Sequence, residues 1–258
     1  MRDKITVSKK RWAFGLSVLT AWGAACIAMA QFGGTLGAIV GGALFTVPLC
    51  SLGEWLVHGV LYHSSLPGLE FIQKIHHAGH HFALFPPKHY VQTSGFPFMR
   101  FRKPYVPFTM SDNALDNLLT MGSQVGLHFV VGIPLIVTPA WLLTENVVFA
   151  ASTLATLALI SWLLAYVHGA IHTPGDRLIE RMGWFQWLDR HHYIHHVDLS
   201  ANINFMLPLC DVLLGTNKLA LTPEEAARVP SFEQAKPMAK DIPAGKDIAP
   251  QATPAIVR

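Results

Sequence analysis

Charge is scarce in this chain. Lys, Arg, Asp and Glu make up 14% of its 258 residues, against 51% hydrophobic residues, where a soluble domain is about 25% charged. That deficit excludes an ordinary soluble surface and points to an integral membrane protein. The net charge is only +3, and no long basic run occurs, so a nucleic-acid partner is not expected. Cysteine is equally sparse. Cys26, Cys50 and Cys210 have no regular spacing, which excludes a disulfide scaffold and a zinc finger and leaves three small buried hydrophobes. No GxGxxG or flavin motif is present, so the chain carries no nucleotide-binding loop of its own.

What the chain does have is long apolar runs. After a basic start with Arg2, Lys4, Lys9, Lys10 and Arg11, a charge-free stretch runs from Trp12 to about Phe32. It is long enough to cross a bilayer and too long for a signal-peptide core, so it reads as a retained membrane helix. Gly33-Gly34 turns the chain into a second run, Thr35 to Gly53, with Pro48 as a kink. A third run covers about Leu118 to Leu143 and a fourth Val147 to Val167. Between the hairpins, residues 64–116 are polar and Pro-rich. The predicted class is all-α, with about four transmembrane helices in two hairpins and a helical cap on one side. Residues 1–11 form a basic terminus, 12–216 the membrane-embedded domain, and 217–258 a disordered Pro/Ala-rich tail. The turns near Gly33 and Thr144 hold no Lys or Arg, so the positive-inside rule puts both termini and the cap in the cytoplasm. The chain has no retention signal, and a bacterial inner membrane is expected.

The chain is also rich in histidine. Of 14 residues, 12 lie in four clusters, all on the predicted cytoplasmic side. His58 and His63 form HX4H, His77, His80 and His81 form HX2HH, His168 and His172 form HX3H, and His192, His195 and His196 form HX2HH. On an α-helix the HX3H pair shares one face, and the rings of HX2HH span one sector. HX4H is the poor match, because i and i+5 stand about 140° apart. Either those two rings serve different metals or the helix is distorted between them. Neutral imidazole binds Zn, Fe, Cu and Ni. Ten such ligands suit two metals with about five nitrogens each. On spacing alone, His76 can replace a neighbour of the second cluster, and His191 one of the fourth. His89 and His128 stand apart from the clusters. Glu54, one helical turn before His58, is a candidate acceptor for a ligand N–H.

The ordered set of clusters resembles the fatty acid hydroxylase/sterol desaturase superfamily of integral-membrane di-iron oxygenases. EWLVHGVLYH is similar to that family's first box, HHAGHHFALFPP to its second, and NFMLPLCDVLLGT to its ending. The resemblance covers about residues 50 to 216. It implies ten metal ligands: His58, His63, His77, His80, His81, His168, His172, His192, His195 and His196. It favours His77 and His192 over His76 and His191. One departure is Gly59, which stands where the family's first box often has Arg.

The same resemblance implies two Fe ions (with Zn able to replace them in a purified sample) and O2 as co-substrate. The expected function is a membrane monooxygenase that hydroxylates the acyl chain of a lipid drawn from the bilayer. The family's fused cytochrome b5 signature, HPGG, is absent, so electrons are expected from a separate cytochrome b5- or ferredoxin-like donor with its reductase. Arg100, Arg102 and Lys103, in a loop alternating aromatic, basic and proline residues, are candidates for holding an anionic head group. Three other readings remain open. One is a desaturase or hydroxylase of a sterol, carotenoid or other isoprenoid. A second is a His-rich metal-binding or transport protein, which predicts ionisable residues along the spans. A third is a membrane metallohydrolase, which needs an open zinc position and a nearby base.

Overall fold

The computed structural model describes residues 5–63, 67–68, 70–76, 81, 125–126, 128–172 and 178–228. Among them the ordered elements are helices, and no strand occurs. Helix α1 (Lys9–Phe32) is capped by the Ser8 side chain, which accepts from the Arg11 N–H. Its run of apolar residues ends at Gly33, and α2 (Gly34–Trp55) returns antiparallel to it. α2 continues without a break into a π-helical stretch, Leu56–Tyr62. Then come α3 (Glu70–His76), α4 (His128–Thr144), α5 (Val147–His172), α6 (Gly183–Val197), α7 (Leu209–Leu214) and α8 (Pro223–Arg228).

Three helical segments are long and apolar enough to cross a membrane: Lys9–Phe32, Gly34–Tyr62 and Val147–Ile171. The third apolar run of the sequence contributes a shorter helix, α4, with a π-helical stretch at Ile133–Val137. Residues before 125 in that run lie outside the described residues.

The spans pack through small residues and hydroxyls. A Cβ on Gly42 would sit 2.5 Å from the Phe149 carbonyl, so only glycine lets α2 and α5 approach this closely. Thr153 Oγ1 reaches the Gly42 carbonyl at 3.4 Å, and Ser152 Oγ donates to Ile39 O at 2.6 Å. Pro48 lacks an N–H, which frees the Leu44 carbonyl one turn back. The Trp22 indole of α1 takes that carbonyl at 2.8 Å. The turn at Gly33 and the turn before α5 are fastened together by Asn146, whose Oδ1 caps the start of α5 and whose Nδ2 donates to Ala30 O at 3.3 Å.

The stretch from residue 217, expected to be loose, begins in order. Lys218 Nζ pairs with Asp198 at 2.7 Å and Glu225 at 2.6 Å. Thr222 and Glu225 exchange backbone and side-chain hydrogen bonds, a capping box that starts α8. Residues 229–258 lie outside the described residues.

Candidate metal centre

The π-helical stretch after α2 resolves the awkward HX4H spacing. Its wider turn bonds i to i+5, so His63 comes round over His58, and the two rings lie 5.0 Å apart. α3 delivers His76, and His81 follows. Ligand nitrogens of His58, His63, His76 and His81 all lie within 4.8 Å of one another. His195, from α6, closes this group, with its ring 4.6 Å from His58 and 5.0 Å from both His63 and His81.

A second group lies beside the first. His168 near the end of α5 stands 5.0 Å from His192, and His192 stands 4.6 Å from His196 on the same face of α6. His81 and His196, 4.5 Å apart, join the two groups. His58, His63, His81, His192, His195 and His196 are all buried. Burial, followed by the neighbouring imidazoles, holds His81, His195 and His196 well below the ordinary histidine value. At neutral pH each of these rings is therefore uncharged, with one nitrogen N–H and one nitrogen lone pair.

The donor set fits metal ions. Two nitrogens bound at about 2.0–2.1 Å to one ion stand about 2.9–3.4 Å apart for octahedral to tetrahedral angles. Nε2 of His58 and His76 are 3.2 Å apart, those of His81 and His76 3.0 Å, and those of His192 and His196 3.1 Å. Among the described residues His195 Nε2 is buried without a hydrogen-bond partner, while its Nδ1–H donates to the Ala201 carbonyl at 2.8 Å. A lone pair aimed inward behind a ring fixed from outside is the arrangement a metal ligand requires.

One loop fixes two of these rings, and His191 beside them. The carbonyl of Ala201 receives His195, that of Ile203 receives His58 Nδ1–H at 2.6 Å, and that of Asn204 receives His191 Nε2–H at 2.9 Å. A carbonyl only accepts, so each contact also sets the tautomer of its ring. Asp211 pins the loop in turn. Its Oδ1 accepts from Ile203 N at 2.9 Å and its Oδ2 from Asn204 N at 2.8 Å, and Thr216 adds a hydroxyl donor. Asn202, in a left-handed conformation at φ 52°, bridges the carbonyls of His191 and Lys218. Glu54 acts on the same loop. Its Oε1 accepts from Phe205 N at 2.8 Å and Met206 N at 3.4 Å, so among the described residues it meets backbone donors and no ligand ring.

Gly59 also belongs to this junction. A Cβ there would lie 3.0 Å from Ile203 Cγ2 and 3.1 Å from Ile5 Cδ1. The π turn and the carbonyl loop touch at this point, which explains why no larger residue stands after His58.

Of the residues expected from sequence, His58, His63, His81, His168, His192, His195 and His196 converge. His172 ends α5. His77, His80, Arg100, Arg102 and Lys103 lie outside the described residues. His76 joins the first group, whereas His191 turns away, towards Asn204 and, at 3.5 Å, Asp211. Ala201, Ile203, Asn204 and Asp211 were not anticipated as site residues. The signal for them is a density of Asn and Asp within the otherwise apolar NINFMLPLCD, since buried polar groups need partners. No family model, curated protein or solved structure matches this chain.

Proposed function

We propose that this protein is a membrane monooxygenase that holds two iron ions and hydroxylates the acyl chain of a lipid, using O2 and electrons from a separate donor protein. The observation that supports this most directly is the pair of adjoining imidazole groups, largely buried and supported at the ends of apolar helices. Ordered histidine clusters in the sequence, similar to those of the fatty acid hydroxylase/sterol desaturase superfamily, point the same way.

Iron with O2 would supply the oxidant that an unactivated C–H bond demands. The chain's own contribution is positioning and exclusion. His58, His63, His76, His81 and His195 would hold one ion. His168, His192 and His196 would hold the other, with His172, His77 and His80 as further ligands. The carbonyls of residues 201 and 203 keep His195 and His58 in one tautomer and one orientation. Burial of the rings keeps water from the centre. Phe205 stacks on His168 at 4.4 Å and gives the centre an apolar wall.

In this reading α4, with residues before it, completes a fourth span. Lys9, Lys10 and Arg11 at the start of α1 then mark the cytoplasmic side by the positive-inside rule.

The test compares wild type with His195→Ala in one host, supplied with electron carriers from the protein's own source. Whole-lipid mass spectrometry should find a lipid that gains one oxygen only with the wild type. A lipid that instead loses two hydrogens would reassign the protein as a desaturase. Unchanged lipids, with the native carriers present and both metals bound, would overturn the reading.

A further inference from the structure

We infer that residues 205–214 form a re-entrant segment that dips into the bilayer and faces its acyl chains, beside the first span. This rests on the membrane reading of α1 and α2 and not on the chemistry proposed above. Three independent observations support it.

The first is depth. α7 runs antiparallel to the beginning of α1. Gly215, just past its end, lies beside Arg11, with the Nε 3.3 Å from where a Cβ would be. One turn further in, a Cβ on Gly15 would meet Leu214 Cδ2 at 3.2 Å. Cys210, near the start of α7, lines one apolar crevice with Leu19 and Leu52. Leu19 is seven residues beyond Trp12, about 10 Å along the helix. The charged start of α1 therefore sits level with the end of α7, and the start of α7 lies well within a hydrocarbon core of about 30 Å.

The second is surface chemistry. Leu209 is 39% exposed and Val212 55%, comparable to α1's Leu16 at 49%. These side chains suit lipid.

The third is how the backbone is satisfied. Non-helical chain at membrane depth is tolerated only when protein groups take its N–H and C=O groups. Here two polar residues of the second span do so. Ser51 Oγ donates to the Leu207 carbonyl and accepts from Cys210 N at 3.0 Å. Glu54 takes the N–H groups of Phe205 and Met206. A serine and a glutamate inside an apolar helix thereby acquire a reason.

The consequence is that Phe205, buried and stacked on His168, leads into a segment whose Leu209 and Val212 face the bilayer. The centre then meets the bilayer from the side, one aromatic ring away.

The test is site-directed spin labelling in liposomes, with single cysteines at Val212, Leu16 and Ala227, an exposed residue of α8, after replacement of the native cysteines. Collision rates with O2 and with a water-soluble nickel complex are compared. The expected O2-to-nickel ratio at Val212 is within about twofold of that at Leu16 and several-fold above that at Ala227. A lipid-like Leu16 with a water-like Val212 would overturn the re-entrant segment alone. A water-like ratio at both would overturn the membrane placement of α1 and the inference with it.

Discussion

His58 and His63 lie with their rings 5.0 Å apart across one π-helical turn. In regular α-helix the same residues would diverge by about 140°. The chain changes its pitch just where α2 leaves its apolar run, and so places both imidazoles on one centre. π turns are rare and concentrate at functional sites, and here the reason is visible in the side chains it brings together.

Gly59 makes this turn possible, because the space beside it is filled by Ile203 and Ile5. Gly59→Ala is expected to push Ile203 away and to cost about 1–3 kcal/mol through overpacking. Since the Ile203 carbonyl holds His58, bound metal should weaken together with thermal stability. Gly59→Arg should give no folded protein. A Gly59→Ala variant with wild-type Tm and metal content would show that the loop has room to move.

His76 and His191 make opposite predictions. His76→Ala removes a nitrogen that lies 3.2 Å from His58 Nε2 and 3.0 Å from His81 Nε2, so metal per chain should fall. His191→Ala removes the donor to the Asn204 carbonyl, which also lies 3.5 Å from Asp211, and a ring stacked on Trp187 at 4.9 Å. It should keep the full metal content and lose about 1–3 kcal/mol of stability, as expected when a buried acceptor is left unmet. Plasma emission spectrometry on the purified variants, beside thermal melts, separates the two. The opposite pattern would exchange their roles.

Much of this was legible in the sequence because it follows from composition and period. Apolar runs without charge gave three helices fit to span a membrane, and the turn at Gly33 was readable from two glycines. The clustering of histidines predicted a gathering of imidazoles able to hold a metal ion. The register within clusters was less legible. HX4H reveals its geometry only once the local pitch is known, and pitch at the end of a helix depends on Gly59 meeting Ile203, a contact across 144 residues of sequence. That His76 reaches the first group depends in the same way on where α3 ends. The carbonyl loop was missed because a backbone oxygen has no letter in the sequence. Its mark is indirect: Asn202, Asn204 and Asp211 in an apolar setting.

Asp211 is the residue through which this loop is expected to control the metals. Both of its oxygens accept backbone N–H groups. Asp211→Asn sets an amide NH2 against one of those donors and should loosen the carbonyls that orient His58 and His195. Loss of such outer support typically costs about 10–100-fold in metal affinity. Competition with a chromophoric chelator should show that drop in a protein that still folds. An unchanged affinity would mean that the ligands are held by helix packing alone.

The last prediction concerns pH and the clamp at Lys218. Burial alone would raise Asp198, but hydrogen bonds from Lys218 and Ser200 outweigh it and leave the carboxyl below its usual value. Glu225 is lowered chiefly by its hydrogen bond from Lys218. A carboxylate with a depressed folded value stabilises the fold fully above its unfolded value. It loses that contribution as pH falls through the folded one. α8 should therefore stay docked at neutral pH and detach on acidification below about pH 4, the range where such carboxylates protonate. The pairs are partly exposed, so the effect should be small, roughly 0.2–1 kcal/mol each. Lys218→Met should release α8 even at neutral pH. A spin label at Ala227 reports both: its spectrum should sharpen in acid for the wild type and already be sharp in the variant. A label equally immobile in all three conditions would mean that the capping box and apolar contacts, not Lys218, hold α8 in place.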